Sequence, residues 1–96
     1  MTHPRFDLDD LLGHSVRFSI VAMLDAAEKA EFSFVRDNVE VSDSVLSKQV
    51  SALEQAGYVK VTKGFVGKRP RTWLSLTRDG RRRFDRHISA LRQIAS

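Results

Sequence analysis

The stretch that decides the fold covers residues 42–59 and reads SDSVLSKQVSALEQAGYV. It starts with a good helix N-cap, Ser42, followed by Asp43 in the first turn, where a negative charge suits the helix dipole. Gly57 can take up the left-handed conformation that commonly ends a helix. These signals predict a helix that runs from the Ser42 cap to about Ala56.

The two faces of this helix differ in composition. The inward face is apolar, with Leu46, Val50 and Leu53 at positions i, i+4 and i+7. The outward face carries short or flexible polar side chains and one cation, namely Ser44, Ser47, Lys48, Ser51 and Gln55. Such a face can approach a DNA major groove closely and read base edges. A merely solvated helix face has the same composition, so this helix alone does not decide the function.

Helical patterns also precede this stretch. Residues 7–12 predict a short helical turn, and residues 33–39 predict a short helix capped by Ser33. Residues 14–28 predict the first full helix, whose face consists of Arg17, Ile20, Val21 and Leu24. Arg17 is the polar member of that face, and we interpret it as half of an ion pair at the edge of the core.

Strand patterns and a last helix follow. Residues 58–63 and 72–77 alternate and predict a β-hairpin, with residues 64–71 as its basic loop. Residues 78–94 predict a helix capped by Thr77, with an apolar stripe of Phe84, Ile88, Leu91 and Ala95. We therefore expect a mainly α (α+β) fold in one domain over residues 1–96, built from a three-helix core, a β-hairpin and a C-terminal helix.

The charges are distributed unevenly along the chain. Residues 1–40 contain four basic and eight acidic side chains, and residues 41–96 contain twelve basic and four acidic ones, within a net charge of +4. A basic half indicates a surface for a polyanion, although a solvated basic face is the alternative. Lys68, Arg69 and Arg71 of the hairpin could contact phosphates or the minor groove, and Pro70 would stiffen their loop.

The last helix begins with a further basic group, which comprises Arg78, Arg81, Arg82, Arg83 and Arg86. Cations at a helix N-terminus oppose the dipole, so a phosphate contact could explain them. Arginine stems that cover apolar surface explain them equally well.

Several function classes find no support in the sequence. There is no cysteine, which excludes a disulfide framework, a thiolate metal site and a cysteine nucleophile. His3, His14 and His87 lack metal-ligand spacing, and we expect each at the surface or at a cap. No catalytic motif appears. We expect no enzyme activity, no cofactor and no metal.

Without an apolar span or signal peptide, we expect a cytoplasmic protein with no membrane partner.

Residues 42–59 resemble the recognition helix and first strand of winged helix-turn-helix regulators. Residues 63–72, KGFVGKRPRT, resemble their wing, and residues 76–80, LTRDG, resemble the start of their C-terminal helix. The resemblance is to short MarR-like proteins and covers residues 8–92. It implies a sequence-specific regulator that binds double-stranded DNA as a dimer. Because the chain lacks the long terminal helices that form the MarR dimer and ligand pocket, a small-molecule effector stays open.

The candidate DNA-binding residues lie on the predicted recognition helix and wing: Ser42, Ser44, Ser47, Lys48, Ser51, Lys63, Lys68, Arg69 and Arg71. The resemblance itself implies DNA contacts for Ser44, Ser47, Lys48 and Arg69. Two alternatives remain. One is a winged-helix module for protein interaction, and the other is a nucleic-acid binder without sequence preference.

The terminal segments, residues 6–13 and 78–94, are predicted to form a homodimer. A domain this small cannot cover all of its apolar stripes, and two-fold symmetry is the common solution. The candidate interface comprises Phe6, Leu8, Leu11, Leu12, Phe84, Ile88 and Leu91. The alternative is that the N-terminal segment folds back over the last helix of its own chain.

Overall fold

A computed structural model describes residues 2–96 of the chain. Its elements are two 3-10 turns (Pro4–Asp7 and Asp10–Gly13), α1 (Ser15–Asp25), β1 (Ala30–Glu31), α2 (Phe32–Val39), α3 (Asp43–Gln55), β2 (Val59–Val66), β3 (Arg69–Leu76) and α4 (Arg78–Ala95). The predicted mainly α winged helix-turn-helix fold is confirmed, with one strand added. Within residues 2–96, no helix has both the length and the apolar character that a membrane crossing needs.

The added strand, β1, changes the start of α2. β1 pairs antiparallel with β3, with Glu31 opposite Trp73, and the sheet order is β1-β3-β2. Because β1 runs directly into α2, the helix begins at Phe32 with Glu31 as its N-cap, and the predicted cap at Ser33 is wrong. A two-residue strand is too short to show an alternating pattern, so only its pairing partner reveals it.

The hairpin is longer than predicted. β2 and β3 pair as far as Val66 and Arg69, which leaves a two-residue turn at Gly67 and Lys68 in place of the predicted loop at 64–71. Gly67 has a φ of +62°, as the first position of a tight hairpin turn requires. Glycine, proline and charged residues favour a loop in a sequence, which explains the wrong prediction. Here these residues lie on paired strands, in the outer part of the hairpin, where β2 and β3 form a two-stranded ribbon.

The core confirms the predicted faces of α1 and α3. Ile20, Leu24, Leu46 and Leu53 are all 0% exposed. The polar member of the α1 face, Arg17, donates its Nε–H to the side-chain oxygen of Gln49 over 2.7 Å. Gln49 is neutral, so the predicted ion pair of Arg17 is wrong, and the bond instead links α1 to α3.

A tight turn sets α2 against α3. Glu40 adopts a left-handed conformation with a φ of +60° at the end of α2. The Ser42 hydroxyl then accepts the backbone N–H of Val45, which confirms the predicted cap of α3. Arg36 of α2 bridges the turn through an ion pair of 2.8 Å with Asp43 of α3.

The start of α4 lies against the start of β2. Thr77 caps α4 by accepting the N–H of Gly80, and its own hydroxyl donates to the carbonyl of Gly57 over 2.6 Å. Gly80 is buried against the Tyr58 backbone. A Cβ on Gly80 would lie 2.3 Å from the Tyr58 carbonyl oxygen and 2.9 Å from its Cα. Only glycine fits here, because both contacts are with backbone.

Replacing Gly80 with alanine should destabilise the protein. The added methyl group must displace the backbone at Tyr58, and overpacking of this kind costs about 1–3 kcal/mol. The matched control is Gly13→Ala, because a Cβ at Gly13 meets nothing within 4 Å. Urea denaturation of both variants and the parent measures the effect, and equal midpoints for the two variants would contradict the packing argument.

Candidate nucleic-acid interface

The outward face of α3 is open to solvent. Ser44, Ser47, Lys48 and Ser51 are all exposed. Ser42 is also exposed, but its hydroxyl holds the helix cap and lies 3.2 Å from the hydroxyl of Ser44. The structure therefore gives Ser42 a capping role and leaves the other four side chains available along one face.

Buried side chains on the inner face of α3 fix the rotation of the helix about its axis. Leu46 and Leu53 are fully buried, and Gln49 is only 7% exposed. The bond from Arg17 satisfies the buried Gln49 oxygen, which would otherwise carry a desolvation cost. Sequence reasoning missed Gln49, because a glutamine among exposed serines gives no signal of burial.

A cleft of about 370 Å³ joins α3 to the hairpin. Ser47 and Ser51 line it from α3, and Lys63 and Thr72 line it from β2 and β3. Predicted residues from the recognition helix and the wing therefore share one surface.

The hairpin divides the predicted wing residues between two faces. Residues two apart on a strand share a face, so Lys63 lies with Val61 on the side that faces α3. Cross-strand partners also share a face, which puts Arg69 and Arg71, the partners of Val66 and Gly64, on the opposite side. Lys68 lies in the turn between the faces.

The cations of the candidate site differ in whether they form an ion pair within the chain. Arg71 forms an ion pair of 3.1 Å with Glu31 of β1, so this predicted DNA contact is partly used within the chain. Among residues 2–96, the other four cations of the candidate site form no ion pair: Lys48, Lys63, Lys68 and Arg69.

The arginines of α4 are mostly neutralised by the chain itself. Four of them pair with carboxylates: Arg81 with Asp25, Arg82 with Asp79, Arg83 with Asp9, and Arg86 with Asp7. Three of these acids belong to the acidic first half of the sequence. Phosphate contact is thus not needed to explain the basic start of α4, since carboxylates on the same chain offset its charges.

The predicted dimer residues lie in different environments. Leu12 and Phe84 are 3% and 6% exposed and belong to the core of their own chain, so they are absent from the surface of the single chain. Leu8, Leu11 and Ile88 are half-buried. Apolar surface remains at Phe6, Leu91 and Ile94, the last of which was not predicted.

The N-terminal segment folds over α4 of its own chain, as the alternative interpretation expected. The backbone N–H of Asp9 donates to Nδ1 of His87 over 2.9 Å, and Arg86 donates to Asp7 over 2.7 Å. His87 is 4% exposed, so the expectation of a surface or capping histidine is wrong for this residue. His3 does cap the first 3-10 turn by accepting the N–H of Arg5.

A polar cluster lies where this segment meets α4 and β2. The Tyr58 hydroxyl and the Arg83 guanidinium both donate to Asp9. Burial by itself raises the pKa of Asp9, but the hydrogen bonds from Tyr58 and Leu11 and the charge of Arg83 outweigh it and lower the pKa below 3.8. Burial and the Asp9 carboxylate raise the pKa of Tyr58. Both groups are therefore held in their ordinary protonation states.

His87 completes the cluster as a hydrogen-bond acceptor. Burial lowers its pKa below 6.5, although the charge of Asp9 acts in the opposite direction. The neutral ring is the form that can accept the Asp9 N–H at Nδ1. Within the described residues 2–96, no group of three or more His, Cys, Asp or Glu side chains could hold a metal ion.

A family model described as a winged helix DNA-binding domain matches residues 16–95, from α1 to the end of α4. The chain belongs to this winged helix DNA-binding family. A transcriptional regulator homologue from Pyrococcus horikoshii has the same fold, with a TM-score of 0.84 and 30% identity, over 91% of this chain and 86% of that one. An uncharacterized protein of Methanocaldococcus jannaschii is 29% identical over 80 residues, which span 83% of this chain and 87% of that protein.

Two further transcriptional regulators of known structure share the fold at lower identity. The PcaV transcriptional regulator of Streptomyces coelicolor is 20% identical with a TM-score of 0.74, over 88% of this chain and 64% of that one. ZitR of Lactococcus lactis, a zinc-responsive MarR family member, is 20% identical with a TM-score of 0.64, over 82% of this chain and 54% of its own. The predicted resemblance to winged-helix regulators is confirmed by the family model and by the Pyrococcus structure, and these two more distant structures show the shared fold.

The stability of this winged-helix domain should fall as the pH drops below about 6.5. Because burial depresses the pKa of His87, the unfolded chain binds a proton more readily than the folded one, so the contribution of His87 is present above pH 6.5 and is lost below it. Urea denaturation at pH 7.5, 6.5 and 5.5 measures the slope.

Two variants isolate the contribution of His87. His87→Gln should flatten the dependence in this pH range, whereas His14→Gln should leave it unchanged, because His14 is exposed and its side chain makes no capping hydrogen bond. A slope that survives in His87→Gln would assign the effect to another group.

Proposed function

We propose that this protein is a sequence-specific transcriptional regulator, most simply a repressor, that binds an inverted-repeat DNA site as a homodimer. Membership of the winged helix DNA-binding family supports the DNA partner, and the similar protein from Pyrococcus horikoshii is a transcriptional regulator homologue. The observation that carries the proposal is the shared cleft, because it joins Ser47 and Ser51 of α3 to Lys63 of the wing.

In the proposed complex, α3 enters the major groove. Ser44, Ser47 and Ser51 are short enough to let the helix approach base edges, and Lys48 can donate to guanine or to a phosphate. Lys63, Lys68 and Arg69 lie near phosphates beyond the groove. Since they form no ion pairs within residues 2–96, their charges are available to replace the counterions of DNA.

The proposed dimer uses the apolar surface that the single chain leaves exposed. Leu91 and Ile94 are 37% and 42% exposed near the end of α4, and Phe6 is 63% exposed on the N-terminal segment. A two-fold axis at these ends would space two recognition helices about 34 Å apart, one turn of DNA. A repressor of this type would act by occupying a site that polymerase needs.

The function is tested by selecting bound fragments from a pool of random-sequence duplexes. A defined inverted repeat is the expected result. Binding without any recovered motif would favour a non-specific nucleic-acid binder, and no binding would favour a protein-interaction module.

Lys48→Ala should weaken binding to the selected site by about 1–3 kcal/mol and weaken binding to random duplex much less. The matched control is Lys29→Ala, which removes the same charge from a lysine that stacks on Trp73 outside the cleft. Fluorescence anisotropy on both duplexes measures the two affinities. An equal loss of affinity on both duplexes would show that Lys48 contacts phosphates and does not read bases.

Leu91→Asp should convert the dimer to a monomer, because a charge at the centre of an apolar contact is desolvated without a partner. Sedimentation velocity at micromolar concentration measures the mass. The control is Gln93→Asp, which adds a carboxylate to an exposed position on the same helix. A wild-type protein that sediments as a monomer and binds a single half-site tightly would rule out the dimer.

A further inference from the structure

The tip of the hairpin exposes an aromatic ring that the proposed function does not use. Phe65 is 75% exposed, more than any other large apolar side chain in residues 2–96. It pairs across the hairpin with Pro70, so the two rings lie on one face of the ribbon. Isolated exposed residues are ordinary, but this one lies two positions before the Gly67 turn, at the end of the wing.

The face that carries Phe65 is the face that looks toward the recognition helix. Val61 and Lys63 of β2 line the cleft shared with α3. Phe65 follows Lys63 by two residues and therefore continues the same face. At a rise of about 3.3 Å per residue, Phe65 lies roughly 13 Å beyond Val61, similar to the width of about 12 Å of a major groove. Val66 points to the opposite face.

Two unpaired cations flank this apolar tip along the chain. Lys63 lies on the same face as Phe65 and Lys68 lies in the turn; both are exposed, and neither forms an ion pair within the described residues. An apolar ring between unpaired cations suits a polyanion that also offers apolar surface, and stacked bases in a minor groove fit this description. Proteins that enter the minor groove often insert an apolar side chain between base steps and bend the duplex by roughly 20–90°.

We propose that Phe65, supported by Pro70, is a wedge that enters the minor groove beside the major-groove site of α3 and bends the DNA. The proposal rests on the proposed function, because the wing reaches this groove only when α3 is docked. Lys63 and Lys68 hold the phosphates on either side, while the ring inserts between two neighbouring base steps. Phe65 would then favour sites whose flanking base steps unstack easily, such as TA steps.

The test compares Phe65→Ala with Val66→Ala on a duplex that was recovered by selection and carries a fluorophore at each end. Val66 is the matched control, because it is 54% exposed on the same strand and points to the other face. Phe65→Ala should weaken binding about tenfold and reduce the bend, measured as a loss of energy transfer between the ends. Val66→Ala should change neither, and circular dichroism checks that both variants fold.

A second measurement reports contact directly. In a Trp73→Phe background, Phe65→Trp places the sole indole at the tip, and stacking on bases should quench its emission when the duplex is added. Val66→Trp in the same background should not be quenched.

Three results would overturn the wedge. If wild-type protein binds no duplex, the proposed function fails together with it. If wild-type protein binds and bends the duplex but Phe65→Ala behaves like Val66→Ala, the wedge is wrong and the regulator function stands. If Phe65→Ala loses only binding to phosphatidylglycerol vesicles and keeps its DNA affinity and bend, the apolar tip serves an anionic membrane instead.

Discussion

The burial of Tyr58 at the start of β2 is the constraint on which the rest of the structure depends. Its side chain is 0% exposed, its hydroxyl donates to Asp9, and the guanidinium of Arg83 lies 4.1 Å over its ring. Arg83 also donates to the carbonyl of Ala56, the C-cap residue of α3. The backbone of Tyr58 contacts Gly80 closely. One residue therefore joins the N-terminal segment, the end of the recognition helix, the start of the wing and the start of α4.

This junction relates the two parts of the candidate DNA surface. Because the contacts of Tyr58 tie the end of α3 to the start of β2, they restrain the angle between the helix and the hairpin. The bond between Arg17 and Gln49 fixes the rotation of α3 in the same way. A cleft with Ser47 on one side and Lys63 on the other follows from these restraints.

The positive charge that is free on the surface cannot be read from the charge totals of the two halves of the sequence. The first half is acidic and the second half is basic, but ion pairs between them, such as Asp7–Arg86 and Asp25–Arg81, neutralise many of these charges. Lys68 and Arg69 of the hairpin have no such partner within residues 2–96. Within residues 2–96 the hairpin therefore keeps unpaired cations, to which α3 adds Lys48, and α4 contributes less positive charge than its arginines suggest.

Local patterns in the sequence were enough to predict the main helices, the hairpin, the caps at Ser42 and Thr77 and the inward faces of α1 and α3, because these depend on local spacing and on bonds between residues three or four positions apart. The outward face of α3 and the basic wing could also be predicted. The pairing of β1, the burial of Gln49 and His87, and the ion pair of Arg71 could be seen only in the folded chain. Each of these depends on a partner distant in the chain, and no local pattern encodes which distant group will meet a given side chain.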